Sequence, residues 1–131
     1  MKGFSINIEE ETLNNNNFRK VLYTGKHSQL VVMSLKPGEE IGAEVHEDHD
    51  QFFRFEKGKG KVVIDGNEYV VESEFAVIVP AGANHNVINT GDDDLKLYTI
   101  YSPAEHRHDV VHETKQDAMA DNEHFDGTTT E

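Results

Sequence analysis

Apolar and polar residues alternate in short runs along most of this chain, and the runs are separated by turn formers. Phe4–Ile8 alternates with period two and predicts a half-buried strand. Ile8–Asn17 (IEEETLNNNN) breaks that alternation and fits a short acidic helix or loop, ending in a solvated turn of asparagines. Arg19–Thr24 and Gln29–Leu35 read as strands around Gly25-Lys26-His27-Ser28. Pro37-Gly38 closes the second, because proline cannot donate to a ladder and glycine admits positive φ. Ile41–His46 and Gln51–Glu56 flank the polar residues 47–50, and Asp65-Gly66 is a hairpin signal between Lys61–Asp65 and Tyr69–Glu72. Phe75–Val79 is almost wholly apolar and ends at Pro80; His85–Asn89 and Leu95–Tyr101 follow, split by Thr90-Gly91-Asp92-Asp93-Asp94. About ten short strands with no long helix predict an all-β fold, an antiparallel sandwich or small barrel.

Length and charge narrow the picture. The chain has 131 residues, one domain's worth of core. We expect a single domain over residues 1–113 and an acidic tail over 114–131 that is a short helix or disordered. Thr114–Ala120 has room for one or two helical turns, whereas His124–Glu131 offers almost nothing to bury, so removing residues 122–131 is expected to cost little stability. Twelve Lys and Arg against 25 Asp and Glu leave a net charge of −13, which would repel nucleic acid and anionic membrane surfaces. The absence of cysteine excludes disulfides, thiolate metal sites and a Cys nucleophile. No stretch reads as a signal peptide or a membrane span, so the expected location is cytoplasmic.

Eight histidines remain to be explained. In Gly42–Gly60 (GAEVHEDHDQFFRFEKGKG), strand alternation puts Glu44 and His46 on one face. If the following strand pairs back across residues 47–50, Gln51 falls opposite His46 and Phe53 opposite Glu44, with Cβ atoms about 4.5–5.5 Å apart. A carboxylate, an imidazole and a carboxamide would then share one small volume that an ion with oxygen and nitrogen preferences could use. The alternative is a hairpin whose polar residues sit at a wet barrel mouth.

A second segment, Val79–Asn89 (VPAGANHNVIN), runs from an apolar strand through a proline–glycine turn to His85. Together the two segments resemble the cupin superfamily. Its second motif, G-x5-P-x-G-x2-H-x3-N, is matched at Pro80, Gly82, His85 and Asn89, with Glu74 where the leading glycine belongs. Its first, G-x5-H-x-H-x(3,4)-E-x6-G, is matched at Gly38, His46 and Gly58, with Glu44 in place of the first histidine and Gln51 in place of the glutamate. The resemblance covers roughly residues 18–102 and looks like the small single-domain cupins grouped with mannose-6-phosphate isomerase-like proteins. It implies a double-stranded β-helix, the cupin jelly-roll barrel. It also implies a metal set of Glu44, His46, Gln51 and His85 holding one divalent ion (Mn, Fe, Co, Ni or Zn), a small-molecule ligand in the barrel, and a homodimer.

Two functional classes follow. One is a metal-dependent enzyme on a small polar molecule, a sugar-phosphate isomerase by resemblance or a dioxygenase; the other is a non-catalytic ligand-binding or metal-binding cupin. Isomerisation needs a base, and the carboxamide of Gln51 does not titrate. His49 reads as a solvated loop residue. His106, His108 and His112 read as part of a polar, partly mobile tail, or as a second metal site or a lid over the barrel mouth carrying a proton-transfer group. Phe53 and Phe55 share the face of Gln51 and should line the interior, while Phe52 and Arg54 point outward, where a second copy would cover them.

Overall fold

A computed structural model describes all residues, 1–131. Ten strands form two antiparallel sheets. In chain order they are β1 (Arg19–Thr24), β2 (Gln29–Leu35), β3 (Glu44–Val45), β4 (Asp50–Lys57), β5 (Lys59–Ile64), β6 (Asn67–Glu72), β7 (Ala76–Val79), β8 (Asn84–Asn89), β9 (Leu95–Ser102) and β10 (Val111–His112). Helix α1 spans Ile8–Asn14 and α2 spans Lys115–Ala120. One sheet has six strands in the order β10-β1-β2-β9-β4-β7, and the other has four in the order β3-β8-β5-β6.

The two sheets face each other as a jelly-roll sandwich, which is the all-β class expected. Alternation along each strand sends one set of side chains inward. Val31, Met33 and Leu35 on β2, Phe53 and Phe55 on β4 and Leu97 on β9 meet Val62, Val71 and Val87 from the smaller sheet, and all are at most 1% exposed. Phe52 and Arg54 take the outward face, as alternation requires. Gly58 and Gly60 mark where chains pass closely. A Cβ at Gly58, whose φ is +93°, would lie 2.6 Å from the Asp94 carbonyl oxygen, and one at Gly60 would lie 2.8 Å from that of Ile88.

Two expectations fail toward the N-terminal end of the chain. Phe4–Ile8 forms no strand; the chain stays exposed until Asn7 caps α1 through its side-chain oxygen on the Glu10 amide. The asparagines after α1 are not simply solvated. Asn15 is buried, and its amide group bonds to Asn17 at 2.9–3.1 Å, while Lys96 donates to the Asn15 carbonyl and to Ser34 Oγ. A buried ammonium thereby closes the exposed carbonyls that follow α1.

The tail opens with the short helix for which the sequence has room. Lys115–Ala120 is helical, opened by a capping box between Thr114 and Asp117. Beyond it the chain lies back on the barrel: Phe125 N–H donates to the Glu105 carbonyl (2.9 Å) and Thr130 N–H to the Thr24 carbonyl (2.9 Å). The Glu123 side chain, 2% exposed, meets His106 at 2.8 Å. The polar composition hid this docking, because it is made by hydrogen bonds rather than apolar burial.

Candidate functional site

At one end of the sandwich, β3, the start of β4, the start of β8 and the end of β9 bring polar side chains together. Glu44 and His85 are direct cross-strand partners in the β3–β8 ladder. His46 follows β3, with its Nε2 3.0 Å from Glu44 Oε2 and its ring centroid 5.3 Å from that of His85. One ligand atom from each of Glu44, His46 and His85 lies within 4.8 Å of the other two, a group that could hold a metal ion. The rim is tied by Gly82 N–H to the His46 carbonyl (2.9 Å) and by Ala81 N–H to Asp50 Oδ1 (2.9 Å).

The local pairing differs from the hairpin expected across residues 47–50. Strand β3 pairs with β8, and β4 pairs with β7 and β9 in the opposite sheet. Residues 47–50 therefore cross between sheets, so Gln51 is not the ladder partner of His46, nor Phe53 of Glu44. Gln51 stands beside Tyr101 on β9 instead. It is 3% exposed, its Nε2 donates to Thr99 Oγ1 at 3.0 Å, and its Oε1 is buried without a partner. An orphaned buried acceptor is costly, and a cation is one group that would satisfy it.

Charge states follow from surroundings. Burial alone would raise the Glu44 carboxyl, but the His46 hydrogen bond and charge hold it below its usual range. Burial likewise pulls His46 down, yet Glu44 and Glu105 outweigh it and leave the imidazole raised. His85 is lowered by burial, so it is neutral at pH 7 and free to donate a lone pair. Burial pushes the Tyr101 hydroxyl well up, and its ring stands edge-on to His46 at 5.8 Å.

A second group adjoins the first. Glu105 Oε2 is 3.0 Å from His49 Nδ1 and 3.6 Å from His46 Nδ1, and the His46 and His49 rings stack at 5.8 Å. His49 is thus half-buried beside the site, not the solvated loop residue expected, because the crossing between sheets turns it inward. His106 and His112 are also buried rather than mobile. His106 Nδ1 donates to Glu123, and its Nε2 lies 3.3 Å from the Tyr101 hydroxyl. Gln29, 1% exposed, holds that segment: its Oε1 accepts from the amides of Glu105 (3.2 Å) and His106 (3.0 Å) and its Nε2 donates to the His106 carbonyl (2.7 Å). His108 is half-buried outside the group.

The structure brings Glu44, His46, Gln51 and His85, the residues the sequence singled out, to one end of the sandwich, and adds Glu105 and Arg19, which the sequence did not single out. Neither belongs to a spaced motif. The sole signal for Glu105 was an acid leading into the histidine-rich segment, and Arg19 gave none.

Comparison with known proteins agrees with this architecture. A cupin domain is matched over residues 31–101. The chain is 49% identical over 125 residues to the uncharacterized protein YrkC of Bacillus subtilis, covering 91% of this chain and 67% of that protein. The crystal structure of BH2720 from Bacillus halodurans superposes with a TM-score of 0.90 at 46% identity, covering 92% of this chain and 96% of that one. A more distant likeness, 28% identity over 78 residues, is to mannose-1-phosphate guanylyltransferase of Escherichia coli and spans 60% of this chain but 16% of that protein. On the matched domain, the close relative and the two-sheet fold, the chain belongs to the cupin family.

Proposed function

We propose that the protein holds one divalent metal ion through Glu44, His46 and His85, with Gln51 as a fourth, neutral donor, and that it is an enzyme acting on a small polar molecule. The observation that carries this reading is the convergence of the three ligand atoms within 4.8 Å beside the orphaned Gln51 oxygen. The mixed oxygen and nitrogen donors fit Mn, Fe, Co, Ni or Zn. Such an ion supplies Lewis-acid polarisation of a ligand oxygen. Around it, the Glu105 carboxylate lies 3.6 Å from His46 Nδ1, on the side where an outer carboxylate commonly orients a metal-binding histidine.

Proton transfer needs a base that is not itself a ligand. The His49–Glu105 pair is such a group, titratable and next to His46. This favours a proton-moving enzyme over a purely binding protein, and it supports the isomerase-like reading of the resemblance, which otherwise rests on a distant likeness to a sugar-phosphate nucleotidyltransferase. A net charge of −13 supports small ligands over nucleic acid or membrane partners. No helix is long and apolar enough to cross a membrane, and the cysteine-free composition supports a cytoplasmic setting.

Elemental analysis of protein purified without a histidine tag tests the reading. One divalent ion per chain is expected, lost in His46→Ala and in His85→Ala, weakened in Gln51→Ala and retained in His49→Ala. Full stoichiometry in the His46→Ala, His85→Ala double variant would defeat the site. Iron as the resident metal would favour oxygenation over isomerisation, and zinc or manganese the reverse.

A further inference from the structure

The chain has three arginines, and two are paired with carboxylates. Arg54 Nε lies 3.1 Å from Glu56, and Arg107 lies 3.6 Å from both Asp109 and Asp121. Arg19 differs. It is 7% exposed, it has no carboxylate within 4.0 Å, and its Nε is buried without a hydrogen-bond partner. Its Nη1 meets His112 Nδ1 at 3.4 Å, and His112 Nε2 is already engaged by Asp121 at 3.0 Å. The guanidinium therefore faces an imidazole nitrogen on one side and the Phe18 ring at 5.4 Å on another, with no carboxylate in direct contact. Guanidinium does not shed its proton, so a buried one without an anion is an unsettled charge.

Arg19 also stands beside the candidate metal site. It lines a cavity of about 170 Å³ together with Glu44, Lys115, Ile41 and Ala118. Its charge acts on two carboxylates, Glu44 and Glu123, and on His46, His106 and Tyr101, none of them in direct contact with it. Glu44, the sole acid lining that cavity, is already bound to His46. The cavity thus presents two cations against one engaged carboxylate, a local reversal in a chain whose net charge is −13.

We propose that this cavity is an anion subsite, in which Arg19, assisted by Lys115, binds the carboxylate or phosphate group of the small ligand while the rest of the ligand faces Glu44, His46 and His85. The planar fork of Arg19 suits two-point pairing with either oxyanion. A site built for one end of an anion beside a metal-ligand cluster selects a bifunctional ligand, a hydroxy- or oxo-bearing carboxylate or phosphate ester. The second half of this inference rests on the metal-site reading above; the first half does not.

Calorimetric titration of malonate, inorganic phosphate and neutral malonamide tests it, on chelator-treated protein and on protein loaded with zinc. At least one oxyanion is expected to bind both forms, malonamide neither. The tighter of malonate and phosphate names the group the subsite takes. Arg19→Gln should weaken oxyanion binding at least tenfold while metal stoichiometry is unchanged. Arg19→Lys, which keeps the charge but not the fork, should weaken it at least threefold, and it carries the test if the glutamine variant does not fold. Equal affinity in either folded variant, equal binding of malonamide, or no binding of either anion would overturn the subsite. Arg19-dependent binding to protein that takes up no metal would uphold the subsite while defeating the metal reading. Metal uptake with anion binding indifferent to Arg19 would do the opposite.

Discussion

Glu74 occupies a position where the second cupin motif carries glycine, and its backbone shows why: its φ is +75°. A non-glycine residue in the left-handed region costs about 1–2 kcal/mol, partly offset in glycine by roughly 0.5–1 kcal/mol of extra chain entropy. Glu74→Gly should therefore raise the melting temperature slightly, and a fall would show that the Glu74 side chain contributes more than its backbone costs. Gly58→Ala is the opposite case. It adds positive-φ strain to a Cβ 2.6 Å from a main-chain oxygen, whereas Gly66, at φ +83°, has open space around it. Gly58→Ala should lower the melting temperature well beyond Gly66→Ala, which carries the φ cost alone. Equal falls would mean that the β9 entry moves aside freely. At this scale the motif residues His46 and His85 were legible because spacing and type both mark them, and Glu44 and Gln51 because spacing alone does. Arg19 and Glu105 were not, because a lone charge in a sequence does not announce whether its partner is water, a carboxylate or nothing.

At the scale of elements most strand bounds were legible, as was the β5–β6 hairpin at Asp65-Gly66, but Phe4–Ile8 forms no strand, Ile41–His46 shrinks to Glu44–Val45, and the partners of β3 and β4 were not legible. Arg19–Thr24 and Gln29–Leu35 form as their alternation and flanking turns dictate. Period-two alternation states which face a side chain takes but not which strand lies beside it, so the run at 47–50 passed for a hairpin turn when it crosses between sheets. Strand β10, two residues long, has no periodicity to read. The C-terminal segment hides its contacts in the same way, and its energetics can be worked out from one pair. His106 is lowered mainly by burial; for Glu123 burial would raise the carboxyl, but the His106 bond and charge lower it. Arg19 and Glu105 also act on His106, and Tyr101 holds its Nε2. Both groups bind fewer protons folded than unfolded, so each stabilises most above its unfolded pKa, 6.5 for the imidazole and 4.5 for the carboxyl. That stabilisation is lost as pH falls through 6.5 and on past 4.5. The amide protection factors of residues 122–131, taken against the intrinsic exchange rate at each pH, should fall over that range ahead of those of the β2–β9–β4 core. At pH 7, removing residues 122–131 should cost about 2 kcal/mol, the scale of one buried charge-assisted hydrogen bond, rather than the negligible amount composition implies. An unchanged melting temperature would mean that the docked segment contributes nothing.

The whole molecule leaves one apolar surface uncovered. Strands β6 and β7 are the free edges of their respective sheets, and between them lies a groove of about 500 Å³ in which Glu68 is the single charged residue. Val70 is 76% exposed and Ile78 66%, with Tyr69 and Phe75 near half. Ile78 is the cross-strand partner of Phe52, the outward residue for which a second copy was expected to provide cover. Exposed apolar patches at unpaired edges mark association sites, and a free edge can pair with its own two-fold copy without any new geometry. We propose a homodimer formed there. A net charge of −13 on each copy opposes association, least across a face as poor in charge as this one, which favours the β6–β7 groove over the acidic remainder. Screening that repulsion should tighten the dimer, so its dissociation constant is expected to fall between 0.02 and about 0.15 M salt, as the Debye length shrinks toward about 8 Å. Sedimentation velocity at micromolar concentration should show a dimer. A Val70→Lys, Ile78→Glu double variant, changed at exposed positions that leave the core intact, should sediment as a folded monomer. A wild-type monomer at every salt concentration would refute the interface, and a dimer that survives both substitutions would place it on another face.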